Sequence, residues 1–454
     1  MVAAYGPWRG VPRSTGLIIN HLQGLRVPLI PASSTWQAAY YPDSLENVPL
    51  LSNSLGKEYF PRGSDMRVTG RTLGRTVAGE QIAAFIPYPL PPRDPPLKLD
   101  GELAALLLRA QQALARLEVA GEMVPSLDWF IYAFVRKEAV VSSQIEGTQA
   151  TLIDLLEYEA EQATGVAIDD VHEVCNYLDA VKYARGQLKS ARGLPISTRL
   201  LNETHRRLMR GVRGANKQPG EIRHSQSWIG GTRPGNAVFV PAPPEELPAL
   251  LTSFEKYLHA ENGLPPLVRI GLAHVQFETI HPYLDGNGRI GRLLIALLLE
   301  HWKHLSAPLL YLSLFFKRHR AEYYRLLGEV RVTGDWESWL NFFLEGVATI
   351  ADEAVAAARE VFALISEDRL RLLAAPGVSV MSIRLIEQLP MHPVVTIPAV
   401  VKLLKTTKPT AGKAVQVLDN LGVLAETSGK QRDRRFAYAA YLEKLRAGTE
   451  IESR

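Results

Sequence analysis

The chemistry of this chain is concentrated in one stretch, His281-Pro-Tyr-Leu-Asp-Gly-Asn-Gly-Arg-Ile-Gly-Arg292. Pro282 disfavours the helical conformation for the residue before it, so a preceding helix ends at His281. Gly286, Gly288 and Gly291 can take positive φ and let a ligand approach the backbone closely. A new helix starts near Asn287 and runs into Leu293-Leu-Ile-Ala-Leu-Leu-Leu299. That run is apolar almost all round, which predicts a central, buried helix. A glycine-rich turn feeding a helix N-terminus presents unpaired N–H groups and the positive end of the helix dipole, a ready anion site. Arg289 and Arg292, three apart, share a face there, and two guanidiniums suit a polyphosphate because each binds oxygens bidentately. Asp285 at the lip can hold Mg²⁺ through one carboxylate, with phosphates and water as the other ligands. His281 then serves as general base for a hydroxyl nucleophile. The chemistry predicted is that of an ATP-using enzyme.

Other readings of the same residues are weaker. Gly286-Asn-Gly-Arg-Ile-Gly291 satisfies the G-x-G-x-x-G dinucleotide pattern, but that pattern needs an upstream strand, and Ala273–Ile280 reads as helix with polar His274, Gln276 and Glu278. Glu278-x-x-His281 has di-iron spacing without a second copy in the chain. His301-x-x-His304 reads as a solvated helix end rather than a ligand pair. A purely structural loop would leave three glycines, two arginines, an Asp and a His each in need of a separate explanation.

The elements that must position this loop read as mainly α. Leu103, Leu106, Leu107, Ala110, Leu114 and Leu117 recur at three- and four-residue spacing. Similar stripes cover 130–158, 171–189, 195–209, 244–258, 266–280, 289–301, 321–330 and 336–367. Trp228-Ile-Gly-Gly-Thr-Arg-Pro-Gly-Asn-Ala-Val-Phe-Val-Pro241 breaks the pattern and reads as a small β-hairpin. Up to about Ser64 the chain shows no lasting period and reads as irregular, and Met66 stands where a true start codon would fit. Arg67 opens an extended piece leading into the proline-rich segment 86–96, which cannot be helical and is expected to wrap across a surface.

Composition sets the outer bounds. Of 454 residues, 46% are hydrophobic and 22% charged, enough for a sizeable core split over two or three domains. A net charge of +4 permits a nucleic-acid partner without demanding one. The single cysteine, Cys175, excludes an internal disulfide framework. No apolar run approaches the roughly 20 residues of a membrane helix, and the N-terminus lacks a signal-peptide layout. The expectation is a soluble, cytoplasmic protein with no membrane partner.

At these residues the sequence resembles the Fic (filamentation induced by cAMP) family, whose signature is His-x-Phe-x-Asp/Glu-Gly-Asn-Gly-Arg-x-x-Arg. His281 through Arg292 match it, with Tyr283 in the usual Phe place, and the likeness extends from about Arg67 to Val347. It implies a Fic helical bundle with a small β-hairpin flap and transfer of AMP from Mg-ATP to a Ser, Thr or Tyr hydroxyl of a protein, self-modification included. It makes His281 the base and Asp285 the Mg²⁺ ligand. Gly286, Asn287 and Gly288 would cradle the phosphates, Ile290 and Gly291 would line the nucleotide, and Arg289 and Arg292 would hold the phosphate chain. Ile229, Gly230, Gly231 and Thr232 resemble the family flap, whose exposed strand edge would pair with the target backbone. Tyr323 matches an aromatic placed against adenine in some members, with a core aromatic as the alternative. Ser142-Ser-Gln-Ile-Glu-Gly147 resembles the family's inhibitory motif. Ser142 and Glu146 lie four apart on one helix face, so both can address one groove, and Glu146 reaching Arg292 would leave ATP unproductively bound, with Gly147 closing the motif.

Beyond Pro376, helices over 382–389, 397–404 and 410–421 precede a hairpin over 422–438 with a basic tip, an order that looks like a winged helix. Lys405, Lys408 and Lys413, with Lys430, Arg432, Arg434 and Arg435 on the wing, could neutralise DNA phosphates, or the module could dock a protein. The resulting division is an irregular segment 1–65, an N-terminal Fic-associated region with inhibitory helix 66–160, a catalytic core 161–350, a linker helix 351–375 and a winged-helix domain 376–454. Together these predict an autoinhibited protein adenylyltransferase. The alternatives are a DNA-binding regulator using the Fic fold as a ligand sensor, and an enzyme that removes AMP or transfers another phosphate-linked group.

Overall fold

A computed structural model describes residues 67–123, 126–161, 169–429 and 434–451. The expectations for residues 1–65 and Met66, and those for Lys430 and Arg432, lie outside the described residues. The chain is mainly helical, as its stripes predict, and the described strands are short and antiparallel. No described helix is long and apolar enough to cross a membrane.

The described residues open with β1 (Gly70–Val77) and β2 (Glu80–Pro87), paired from Gly70↔Pro87 to Val77↔Glu80 around the turn Ala78-Gly79. Both turn residues have positive φ, the geometry that suits two-residue hairpins. The sequence predicts only an extended piece here, because Ala-Gly lacks the usual turn signature. The proline-rich segment that follows does wrap across the fold. Buried Arg67 donates to the carbonyls of Pro95 at 2.6 Å and Gly334 at 2.7 Å and pairs with Glu337 at 3.0 Å.

Next come α1 (Gly101–Met123), α2 (Leu127–Ile145), α3 (Leu152–Glu161), α4 (Asp169–Lys189) and α5 (Thr198–Leu208). The stripe over 130–158 is therefore two helices. Gly147, at φ 96°, takes a backbone conformation that no α-helix contains, and α2 stops with Glu146 as its C-cap. After the flap segment come α6 (Leu247–His259), α7 (Pro266–Ile280), α8 (Asn287–His301), α9 (Ser313–Arg318) and α10 (Arg320–Val332). Helices α7 and α8 are the centre of the core, and nearly every residue of both is buried.

Helix α11 (Trp336–Leu373) runs without a break for 38 residues. The expected boundary at 350 falls inside it, since no Gly or Pro interrupts the sequence between Gly346 and Pro376. Ala351, Ala354, Val355 and Ala358 are buried on the same helix, which packs along α1. The described residues between 376 and 451 form α12 (Val380–Gln388), β3 (Val394–Thr396), α13 (Ile397–Leu404), α14 (Lys408–Asn420), β4 (Ala425–Glu426), β5 (Arg435–Ala437) and α15 (Ala439–Arg446), with the strands in the order β3-β5-β4. This module rests on the end of α11, where Tyr438 donates to buried Asp368 at 2.7 Å, and on α3, where Arg435 pairs with Glu157 at 2.9 Å.

Candidate active site

Helix α7 ends where Pro282 predicts. His281 is its C-cap, at φ 50°, and its N–H still donates to Phe277. The loop then folds back on itself through one side chain. Asn287 accepts from the Tyr283 N–H at 2.9 Å and donates to the Tyr283 carbonyl at 2.8 Å. The amide of Asn287 is thus used to shape the loop, and what it offers a ligand is its backbone N–H. Gly286 caps α8 at φ 78°, and the first intrahelical bond runs from Ile290 to Gly286. The N–H groups of Asn287, Gly288 and Arg289 therefore have no intrahelical acceptor and point out of the helix start, as an anion site requires. Only one of the three loop glycines takes positive φ. Gly288 and Gly291 are helical, and a Cβ at Gly291 would overlap the carboxyl of Glu278 on α7, so that glycine serves helix packing.

The two arginines are buried and already engaged. Arg292 donates from Nε to the Ser142 hydroxyl at 3.0 Å and from Nη2 to the Ser142 carbonyl at 2.9 Å and to Glu146 at 2.6 Å. Arg289 faces Glu173 of α4 at 3.4 Å and Asp285 at 3.8 Å. Glu173 is itself buried and shared with Arg213 at 3.2 Å and with the Thr148 hydroxyl at 2.9 Å. Upstream helices thus supply a carboxylate to each loop guanidinium.

His281 is buried, and desolvation, reinforced by the Arg223 guanidinium, pushes its imidazole down to about 3, so it is neutral at ordinary pH. Nδ1 lies 3.4 Å from the Glu278 carbonyl. A carbonyl only accepts, so Nδ1 carries the proton and Nε2 is the basic nitrogen. Arg223 fixes the other side of this residue. It donates to the carbonyls of His281 at 2.8 Å, Ser225 at 3.2 Å and Ala242, while its backbone N–H donates to Pro282. The base and the two segments that flank the flap therefore hang from one guanidinium.

Asp285 is half-exposed at the lip, and one of its oxygens accepts the Gly286 N–H at 2.6 Å. Its carbonyl is held by His205 Nε2 at 2.9 Å, whose Nδ1 accepts the Gly220 N–H at 2.8 Å. These two partners fix the tautomer, and the ring stacks on Tyr283 at 3.9 Å. Among the described residues no cluster of three or more His, Cys, Asp or Glu could hold a metal. A lone carboxylate fits an ion such as Mg²⁺ that keeps its waters.

The flap is less regular than a hairpin. Ile229 and Phe239 exchange backbone bonds of 2.8 and 3.0 Å, a single bridge, and the tip is a 3-10 turn over Pro234–Asn236. Gly230 and Gly231 at φ 69° and 72°, with Pro234 beyond them, leave no room for paired strands. The Thr232 N–H is held by Asn236 at 3.0 Å. Support comes instead from the hairpin that sequence reasoning missed. Phe85 of β2 donates to the Val240 carbonyl at 2.9 Å, Arg233 pairs with Glu80 at 2.8 Å, and Ile82, Ala84 and Val240 form a separate apolar cluster.

Tyr323 is corrected to its core alternative. It is 1% exposed, stacks on Phe316 at 4.6 Å and bonds His274 at 2.8 Å, so it has no face to offer an adenine. His274 in turn bonds the Gly291 carbonyl at 3.1 Å, so Tyr323 supports the loop helix from behind.

Residues 104–186 match the Fic/DOC family N-terminal profile, and residues 195–299 match the Fic/DOC family profile. The chain is similar to a protein adenylyltransferase Fic of Drosophila grimshawi, 32% identical over 207 residues, which are 44% of this chain and 39% of that protein. It is likewise similar to a protein adenylyltransferase Fic of Culex quinquefasciatus, 31% identical over 183 residues, 40% of this chain and 33% of the relative. The matched region thus spans well under half the length of these curated relatives. Among solved structures it is similar to a Fic family protein from Desulfovibrio desulfuricans G20, with TM-score 0.49 and 21% identity over 76% of this chain and 97% of that one.

Proposed function

Given that the chain carries a Fic domain preceded by the Fic/DOC N-terminal region, we propose that it is a protein adenylyltransferase in a self-inhibited state. The observation that carries this reading is the start of α8, where three N–H groups without intrahelical acceptors, two buried guanidiniums and a neutral histidine converge.

In this reading the hydroxyl oxygen of a Ser, Thr or Tyr on a target protein attacks the α-phosphorus of ATP. The Pα–O–Pβ bond breaks, pyrophosphate leaves, and the hydroxyl proton passes to Nε2 of His281. The N–H groups of 287–289 bind phosphate oxygens, and Arg289 and Arg292 orient the chain once their carboxylate partners yield. Anionic phosphates beside His281 raise its basicity from the depressed value of the empty pocket, bringing it toward the working pH. Asp285 is the residue that would hold Mg²⁺, which would neutralise charge on the leaving phosphates. The flap at Ile229–Thr232 would orient the target segment through backbone groups other than those its bridge to Phe239 and the Asn236 side chain already hold. The Arg292–Glu146 pair supports self-inhibition, because the Nε–Nη2 edge of the guanidinium, the edge suited to bidentate phosphate binding, is occupied by Ser142 and Glu146.

The direct test is intact-mass measurement of Glu146→Gly after incubation with Mg-ATP, alone and with candidate targets. A mass gain of one AMP supports the reading. No gain on any protein with His281 intact, or transfer of a different group, overturns it.

A second reading concerns residues 376–454. Their helix-strand-helix-helix-hairpin order and the exposed Lys402, Lys405, Lys408 and Lys413 support a winged helix that binds DNA, or else a protein-docking module. Arg435 is committed to Glu157, so the lysines and the exposed Arg434 would carry phosphate contacts. Salt-dependent duplex binding that is lost in Lys408→Glu/Lys413→Glu would support DNA; salt-independent or absent binding would favour protein docking.

A further inference from the structure

Residues 447–450 lie against the turn that carries Glu146. Gly448 packs on Leu314 without room for a side chain, and Thr449 is 1% exposed. One side chain ties this segment to the turn. Gln144 Nε2 donates to the Thr449 carbonyl at 2.8 Å and to the Ala150 carbonyl at 2.9 Å. Its Oε1 accepts from Lys317 Nζ at 2.9 Å, and that ammonium also donates to the Glu450 carbonyl at 2.6 Å. Carbonyls only accept and an ammonium only donates, so the orientation of the amide is fixed by its partners. Gln144 stands between Ser142 and Glu146 in α2, and Ala150 closes the turn. On its far side the turn is tethered to α4, by Thr148 to Glu173 at 2.9 Å and by the Gln149 N–H to Asp170 at 2.6 Å.

We propose that residues 447–450 are a strap that holds the Glu146 turn shut, and that Gln144 is the positioning residue through which the strap acts. The proposal rests on Glu146 acting as the inhibitor. Without the strap, Gln144 loses a carbonyl partner in a part-buried site and Lys317 loses one at the surface, and water competes for the Gln144 bond to Ala150. The turn then opens more often, and Arg292 is released to the nucleotide. A partner of the C-terminal module that draws α15 away from α2 and α3 would have the same effect, so the module gains a route to the catalytic loop without touching it.

The test uses Gln144→Leu and Lys317→Met in the full chain, with a chain ending at Arg446 as a further variant. Amide exchange over 143–151 and AMP transfer from labelled Mg-ATP are measured with and without Glu146→Gly. Loss of about two hydrogen bonds predicts exchange at 146–150 faster by about tenfold, with transfer rising toward that of Glu146→Gly. In the Glu146→Gly background transfer rises no further. Unchanged exchange in Gln144→Leu and the shortened chain would overturn the strap, as would activation added on top of Glu146→Gly. Faster exchange with a silent Glu146→Gly would leave the strap standing and remove the transferase reading instead.

Discussion

Nη2 of Arg292 stands 2.6 Å from Oε1 of Glu146, with the arginine side chain 2% and the glutamate 11% exposed. So enclosed a pair is strong while both partners remain. Removing one leaves a buried charge worth about 3–5 kcal/mol of destabilisation, which a nucleotide phosphate can relieve. Glu146→Gly is therefore expected to bind ATP productively and to raise labelling from α-³²P-ATP by at least about tenfold, since 1.4 kcal/mol already suffices for that factor. Equal labelling by wild type and variant would count against self-inhibition.

His281→Ala, built on Glu146→Gly so that activity is measurable, is expected to abolish transfer while nucleotide binding persists. Calorimetric titration with ATP separates the two effects. Loss of binding and transfer together would mean that His281 shapes the pocket rather than accepting the proton.

Arg223→Met in the same background should lower kcat by about tenfold to a hundredfold with a smaller change in KM for ATP. Arg223 touches the backbone of His281 and of Ala242 beside the flap, and misplacing a reacting group by about 1 Å costs that much. Arg223→Lys should rescue poorly, because one ammonium cannot span three carbonyls. A change confined to KM would argue that Arg223 serves the nucleotide instead.

Tyr323→Phe removes only the hydroxyl on His274. A loss of about 1–2 kcal/mol in chemical denaturation is expected, with KM for ATP unchanged. A raised KM at unchanged stability would restore the adenine role that the sequence suggested.

Acidification should destabilise the fold. Burial lowers His205 to about 4 and His274 and His281 to about 3, so between these values and 6.5 the unfolded chain binds more protons. Their stabilisation is present above pH 6.5 and is lost as pH falls. Glu278 and Glu138, raised by burial to about 7 and about 6, act in the opposite sense above pH 4.5 and cease to oppose below it. The melting temperature should fall from pH 6.5 downward, most steeply below 4.5, by calorimetry. A melting temperature that holds or rises between pH 5 and 4 would contradict this.

What the sequence made legible follows from where each interaction partner is written. The loop could be read because its function lies in adjacent residue types: a proline that stops α7, a glycine that caps α8, arginines one turn in. The Glu146 pairing spans 146 positions and was legible only through a motif resemblance. Arg223 and His205 were missed because they bind backbone carbonyls and amides, which every residue possesses and no spacing advertises. The β1–β2 hairpin was missed because its turn is Ala-Gly, and Tyr323 was ambiguous because an aromatic at a helical core position looks the same whether it faces a ligand or a neighbour.

The unbroken course of α11 has a mechanical consequence. At 1.5 Å per residue its 38 residues make a rod about 57 Å long, one end beneath the aromatic packing around Trp339 and the other beneath Tyr438. A rod without glycine or proline in its outer part does not bend there, so the C-terminal module is released by loss of its contacts along the rod rather than by flexing of α11. Its motions are peeling of the outer layer from a stiff mast, and disengagement should begin at the loosest edge of that layer and travel inward.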